Sequence, residues 1–151
     1  WFSELENKKS TLAILGQGEL KNELIKEVEL LNIQDRVKFL GFCNNPWQWY
    51  AGADVFLLPS RWEGMSNSVL EALVCGTPVV ATKESGGIKE IAITAYNYNA
   101  ITVVNNGQQF IEIMNQVEIR DVRGISNSLL PSRYRMDKIV STIEDWLNDI
   151  A

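Results

Sequence analysis

The chain has 151 residues, 14 of them Lys or Arg against 19 Asp or Glu, for a formal net charge of −5. With 46% hydrophobic and 22% charged residues it can bury one globular core without disulfides or metal, which excludes the disordered and collagen-like classes. The acidic balance lacks the basic footprint that phosphate-backbone binding requires, so nucleic acid is not an expected partner and an anionic ligand would have to be caught locally.

Residues 1–6 read as the tail of an amphipathic helix, which makes the chain look cut from a longer one. The apolar run 11–15 closed by Gly16-Gln17-Gly18 predicts a buried strand entering a glycine turn. Leu20, Leu24, Val28 and Leu31 then recur at helical spacing among charged residues, one apolar stripe on a solvated helix. Residues 37–40 alternate up to Gly41, and Asn45-Pro46 offers an N-cap and a first-turn proline for a short helix over 47–51. The continuous run Val55-Phe56-Leu57-Leu58, stopped by Pro59, predicts a central strand covered on both faces. A helix is expected over 66–75, with Val69, Leu70, Leu73 and Val74 as its buried stripe, then a strand over 78–81. A short helix over 88–93, a strand over 101–104 and a helix over 108–117 follow. The last helix is predicted over 135–150, with Ile139, Ile143, Trp146 and Leu147 as its stripe.

Strands alternating with helices at this spacing predict an α/β fold, a doubly wound parallel sheet of Rossmann-like type, because parallel neighbours need crossovers and the crossovers here are helices. Ligands of such sheets sit outside the carboxyl ends of the strands, which points to the loops after Leu15, Leu40, Leu58 and Ala81. The chain has no histidine, which removes imidazole-based triads and His-ligated metal sites. Cys43 and Cys75 read as small buried residues, reduced, in a cytosolic setting. No apolar run reaches the roughly 18 residues of a membrane span.

Chemistry concentrates around the predicted helix at 66–75. Glu63 precedes its start, where free backbone amides and the helix dipole favour an anion such as a phosphate. Glu71 shares a helix face with Asn67 and can point toward the same cleft, where a carboxylate's two acceptor oxygens suit a vicinal diol such as ribose. Spacing alone favours a solvated loop residue and a polar helix residue beside a core stripe.

The segments 53–64 and 70–82 resemble the signature region of the retaining glycosyltransferases of family four, the glycosyltransferase group-one family. Glu63 and Glu71 match that family's E(x)7E motif. The resemblance extends through Ile14-Leu15-Gly16-Gln17-Gly18-Glu19-Leu20, residues 35–42 and Gly86-Gly87-Ile88-Lys89-Glu90-Ile91, and covers roughly residues 3 to 117. It implies the C-terminal half of a GT-B fold, with residues 1–151 as a nucleotide-sugar-binding domain truncated at its N-terminus, and the acceptor-binding domain absent. The implied reaction is hexosyl transfer from a nucleotide-diphosphate sugar to a glycan or lipid-linked acceptor with retention, in which the fragment is inactive alone. Glu63 would be the catalytic-face residue contacting the transferred sugar, better called a positioning residue than a nucleophile, and Glu71 would hold the ribose. Amides around Gly64, Met65, Ser66 and Asn67 would hold the diphosphate, Gly16 and Gly18 would line the cleft floor, and backbone near Phe42 would border the base. No metal or cofactor is implied, the nucleotide sugar being substrate. The implied setting is cytoplasmic, with peripheral association of the parent protein at the inner face of the membrane. Alternatives are a non-catalytic nucleotide-binding or interaction module and a nucleotide-sugar epimerase fragment.

Three departures from the family pattern stand out. The Arg and Lys that usually face the diphosphate belong to a segment that would precede Trp1. The first strand of the domain, expected in the middle of the sheet, would precede it too, leaving sheet edges exposed. The family's Asn-Gly turn is replaced by Asn99-Ala100, near an unusual Tyr96-Asn97-Tyr98. Other candidates are weaker. Gly16-Gln17-Gly18 lacks the third glycine of a dinucleotide fingerprint, Lys21 standing in its place. Trp47, Trp49 and Tyr50 suit helix-to-sheet packing better than ligand stacking, and Lys83 and Lys89 near the cleft read as solvated.

Overall fold

The computed structural model of the chain describes residues 1–62, 64–95, 100–120 and 127–149, with side chains described as far as Asp145. A 3-10 turn over Phe2–Glu4 stands where the tail of a helix is expected. Then come β1 (Leu12–Leu15), α1 (Lys21–Leu30), β2 (Val37–Gly41), α2 (Trp47–Gly52), β3 (Phe56–Leu58) and α3 (Asn67–Val74). β4 (Val79–Thr82), α4 (Ile88–Ala95), β5 (Ile101–Val104), α5 (Gly107–Asn115) and α6 (Met136–Asp149) complete the order.

All strand pairs are parallel, as the alternation of strands and helices predicts, but the strands form two sheets. One holds β1 and β2, with Leu12 opposite Val37 and a register shift between Ile14 and Leu15. The other has the order β3-β4-β5, with Phe56 opposite Val79 and Val79 opposite Ile101. Among the described residues each end strand of either sheet therefore keeps an edge with no strand paired to it.

The three-stranded sheet is the part covered on both faces. All four residues of β4 are buried, and successive side chains go to opposite faces. Val79 and Ala81 join Leu58, Val69, Ala72, Leu73, Ile88 and Ile91 in one cluster, under α3 and α4. Val80 joins Val104, Phe110, Ile111, Met114 and Leu5 in the other, under α5 and the N-terminal turn. That two-sided covering explains why β3 and β4 read as continuous apolar runs. α5 starts where Asn106 accepts a hydrogen bond from the Gln109 amide at 2.9 Å, while the Gln109 side chain accepts from the Asn105 amide at 2.9 Å. These reciprocal bonds satisfy donors that a helix start otherwise leaves open.

Several local expectations are corrected. In α3 the fully buried positions are Val69, Ala72 and Leu73, whereas Val74 is exposed. Ala72 is the residue whose small side chain lets the helix lie close to β3 and β4. No residue of α1 is buried, and Leu20 and Leu24 are 61% and 46% exposed, because a two-stranded sheet offers a helix little surface. Pro46 itself occupies the N-cap of α2, and no side chain caps that helix. Cys43 and Cys75 are free thiols, half-buried rather than buried. Ile139 and Ile143 of α6 face solvent, and the Trp146 and Leu147 side chains lie outside the described residues.

Candidate functional site

The loop after β3 and the loop after β4 are tied into one platform at the carboxyl edge of the sheet. The buried Thr82 hydroxyl donates to the Ser60 carbonyl at 2.7 Å, and the buried Ser85 hydroxyl lies 3.2 Å from the same carbonyl and 3.3 Å from that of Leu58. Farther along, Gly87 adopts φ +69°, and a Cβ there would stand 3.1 Å from the Gly64 carbonyl and 3.4 Å from the Met65 Cα. Both conditions demand glycine. Gly87→Ala is expected to cost about 1–2 kcal/mol of stability from the left-handed backbone alone, read as a lower denaturant midpoint at unchanged slope.

From this platform the chain enters α3. Ser66 is the N-cap residue, yet its side chain makes no capping bond; its hydroxyl sits 2.9 Å from that of Ser68. Among the described residues the first amides of α3 are thus left without a side-chain acceptor, at the positive end of the helix dipole, an arrangement suited to an anion. Gly64, Met65 and Asn67 are exposed there. Glu63, the expected catalytic residue, lies outside the described residues, as do Tyr96, Asn97, Tyr98 and Asn99.

One turn into α3, Glu71 turns toward α2. The Tyr50 hydroxyl donates to Glu71 Oε2 at 3.2 Å. The Tyr50 ring lies edge-on to Phe56, with centroids 5.6 Å apart, and to Trp47 at 6.3 Å. Its carbonyl accepts from the buried Thr77 hydroxyl at 2.6 Å, and Thr77 in turn accepts from Arg120 at 2.9 Å. Burial first, and the neighbouring Glu71 charge second, push the Tyr50 hydroxyl up to about 12. The same two causes raise the Cys75 thiol, against a smaller lowering by the Arg120 charge.

The other expected residues group on the loops after β1 and β2. The Gly16 amide donates to the Gly41 carbonyl at 2.8 Å, with φ +114° at Gly16 and +71° at Gly41. Phe42 follows, 70% exposed, and Gly18 has open space where a side chain would be. The structure therefore brings together Gly16 with the Phe42 loop, and Gly64 to Asn67 with the platform. Among the described residues no hydrogen bond joins the two groups. Trp47 and Trp49 are partly exposed, and Tyr50 is the member of that trio that packs toward the sheet. Lys83 lies 3.9 Å from Glu84 in an exposed pair.

A cavity of about 430 Å³ opens beside the platform, lined by Pro59, Ser60, Arg61 and Trp62 from the loop before Glu63, by Thr82 and Glu84, and by Trp1, Asn105, Asn106 and Gly107. Among the described residues no three metal-ligating side chains converge, and no helix is long and apolar enough to cross a membrane. Sequence reasoning missed Tyr50 as the partner of Glu71, and Thr82, Ser85 and Gly87 as the ties of the platform. The Gly86-Gly87 pair was the one available signal.

Residues 2–121 match the family model described as glycosyl transferases group 1. The chain belongs to this family. A Campylobacter jejuni relative, N-acetylgalactosamine-N,N'-diacetylbacillosaminyl-diphospho-undecaprenol 4-alpha-N-acetylgalactosaminyltransferase, is 41% identical over 80 residues, 53% of this chain and 22% of that protein. The N-acetyl-alpha-D-glucosaminyl L-malate synthase of Bacillus anthracis is 30% identical over 143 residues, 92% of this chain and 37% of that protein. The crystal structure of Anabaena HepE in complex with UDP superposes with a TM-score of 0.73 at 25% identity, covering 98% of this chain and 43% of that one. HepE has also been solved with UDP-glucose. The group-1 chain thus spans less than half the length of each of these proteins, and its parallel α/β architecture is that of the C-terminal domain of GT-B glycosyltransferases.

Proposed function

We propose that the chain is the donor-binding half of a nucleotide-sugar glycosyltransferase that transfers a hexosyl unit, with retention, to a glycan or lipid-linked acceptor. The observation that carries this reading is the Glu71 carboxylate, bonded by Tyr50 one turn into α3, a helix whose first amides no side chain among the described residues caps. A nucleoside diphosphate answers both features: its phosphates suit the helix start, and its ribose diol suits the carboxylate. The family match, the UDP and UDP-glucose complexes of HepE and the diphospho-undecaprenol acceptor in the name of the Campylobacter relative support it.

On this reading Gly64, Met65, Ser66 and Asn67 face the diphosphate, Gly16 and Gly18 the cleft floor, and Phe42 the base. Glu63, which directly follows four residues lining the cavity, contacts the transferred sugar. A departing diphosphate needs dipoles and positive charge where negative charge develops, which the start of α3 supplies. No resident metal or cofactor enters the scheme, and a lipid-linked acceptor would place the work at the cytoplasmic face of a membrane.

Calorimetric titration of the folded protein with UDP, GDP, ADP and their sugar conjugates tests the donor assignment. Binding of one nucleotide is the expected result, with UDP first in view of HepE; no binding of any of them would sink it. In a protein that joins this chain to an N-terminal, acceptor-binding half, Glu63→Ala is expected to lower turnover more than donor affinity, since a residue facing the transferred sugar acts chiefly in the transition state. Equal loss in both would reduce Glu63 to a ground-state sugar contact.

A further inference from the structure

We propose that Tyr50 is a positioning residue of the nucleotide site, its hydroxyl holding the Glu71 carboxylate in the orientation that meets a ribose diol and so setting the preference for intact ribose. This rests on the reading that Glu71 receives the ribose.

The bond from Tyr50 to Oε2, at 3.2 Å, is the one polar contact of the Glu71 carboxylate among the described residues. Glu71 is a long side chain, half-buried on a helix, and without that bond it would sample several rotamers. A fixed donor on one oxygen sets the carboxylate plane and leaves Oε1, with both its lone pairs, for an incoming diol. The donor is itself immobile. Phe56 and Trp47 flank its ring edge-on, and the Thr77 hydroxyl holds the Tyr50 carbonyl at 2.6 Å. Thr77 is fully buried and is in turn held by Arg120. The frame behind Tyr50 thus reaches from α2 to the start of β4.

The chemistry is consistent with a permanent donor. The hydroxyl is shifted upward, so it keeps its proton through neutral and moderately alkaline pH and does not become a second anion beside Glu71. Because it bonds to no other group among the described residues, removing it leaves the ring packing intact. A ligand that finds its acceptor already oriented avoids the ordering cost of a free side chain, which is the gain ascribed to Tyr50.

The test is Tyr50→Phe in the purified protein, titrated by calorimetry with UDP, GDP and ADP and with the 2′,3′-dideoxy analogue of the one that binds. The expected result is a roughly two- to tenfold weaker affinity for the ribonucleotide with the dideoxy affinity unchanged, so that discrimination between the two sugars narrows. Equal weakening of both ligands would assign Tyr50 a merely structural role, and an unchanged ribonucleotide affinity would remove it from the site; either overturns the inference. Glu71→Ala separates this from the underlying reading. If that variant loses affinity while Tyr50→Phe does not, the positioning role fails and the ribose role stands. If Glu71→Ala changes nothing, or no nucleotide binds the folded protein, both fall.

Discussion

Glu71→Ala is expected to weaken nucleoside diphosphate binding by about 1.5–3 kcal/mol, a loss of roughly 10- to 150-fold in affinity. The magnitude follows from hydrogen bonds in which the acceptor is charged, which contribute about twice what neutral bonds do. Glu71 lies on the half-buried side of α3, with Tyr50 already bound to one oxygen, so the alanine also leaves that hydroxyl without its acceptor. Removal of that bond costs some stability, which is why affinity must be read by titration well below the melting temperature of the variant. Glu71→Gln should fall between the two, because an amide keeps one acceptor but loses the charge. Full affinity in the alanine variant would take Glu71 out of the site.

Leu73→Ala carries the largest expected loss of stability, about 2–5 kcal/mol, equivalent to a fall in Tm of roughly 4–20 °C for a chain of this size. Leu73 is 0% exposed, in the cluster that joins α3 and α4 to the faces of β3 and β4. Its carbonyl also accepts the Leu129 amide at 2.8 Å, which draws the segment after residue 127 onto the same helix. Truncation removes apolar burial and leaves a cavity that β4, covered on both faces, cannot close by moving. Leu24→Ala on the half-exposed stripe of α1 is the comparison variant and should lose far less. Urea unfolding followed by circular dichroism measures both; equal losses would mean that the stability does not reside in the three-stranded layer.

The elements of that layer were legible because their residues meet their surroundings on both faces. Val55-Phe56-Leu57-Leu58 and Pro78-Val79-Val80-Ala81 read as strands at sight, and their flanking Pro and Gly residues placed the boundaries within a residue or two. The stripe of α3 was half right. Periodicity favours the bulkier Val74, but close approach of helix to sheet is governed by the small Ala72, a distinction that hydrophobicity does not make. The stripe of α1 was read as one on a solvated helix, and no residue of that helix is buried. The division into two sheets was not legible, because patterning sets the period of a strand but not which strands pair. At the candidate site, Glu71 and the glycines were named from motif. Tyr50 was read as packing, which it does, while its hydrogen bond depends on α2 lying against α3 across 21 residues of chain. No local rule reaches that far.

The surface placement of the tryptophans determines what light the protein gives back. Trp1, Trp47, Trp49 and Trp62 are 47%, 46%, 37% and 89% exposed, and neither buried cluster contains a tryptophan. The emission of Trp47, Trp49 and Trp62 therefore answers to the solvent and to whatever displaces it, whereas Trp1, with its ring 5.1 Å from that of the buried Phe110, also senses the interior. Trp47 and Trp49 share a helix with Tyr50, and Trp62 directly precedes Glu63. The fluorescence of those three tryptophans is accordingly an optical reporter of the two ends of the candidate site, whereas loss of the core between them is better followed by the circular dichroism of α3, α4 and α5.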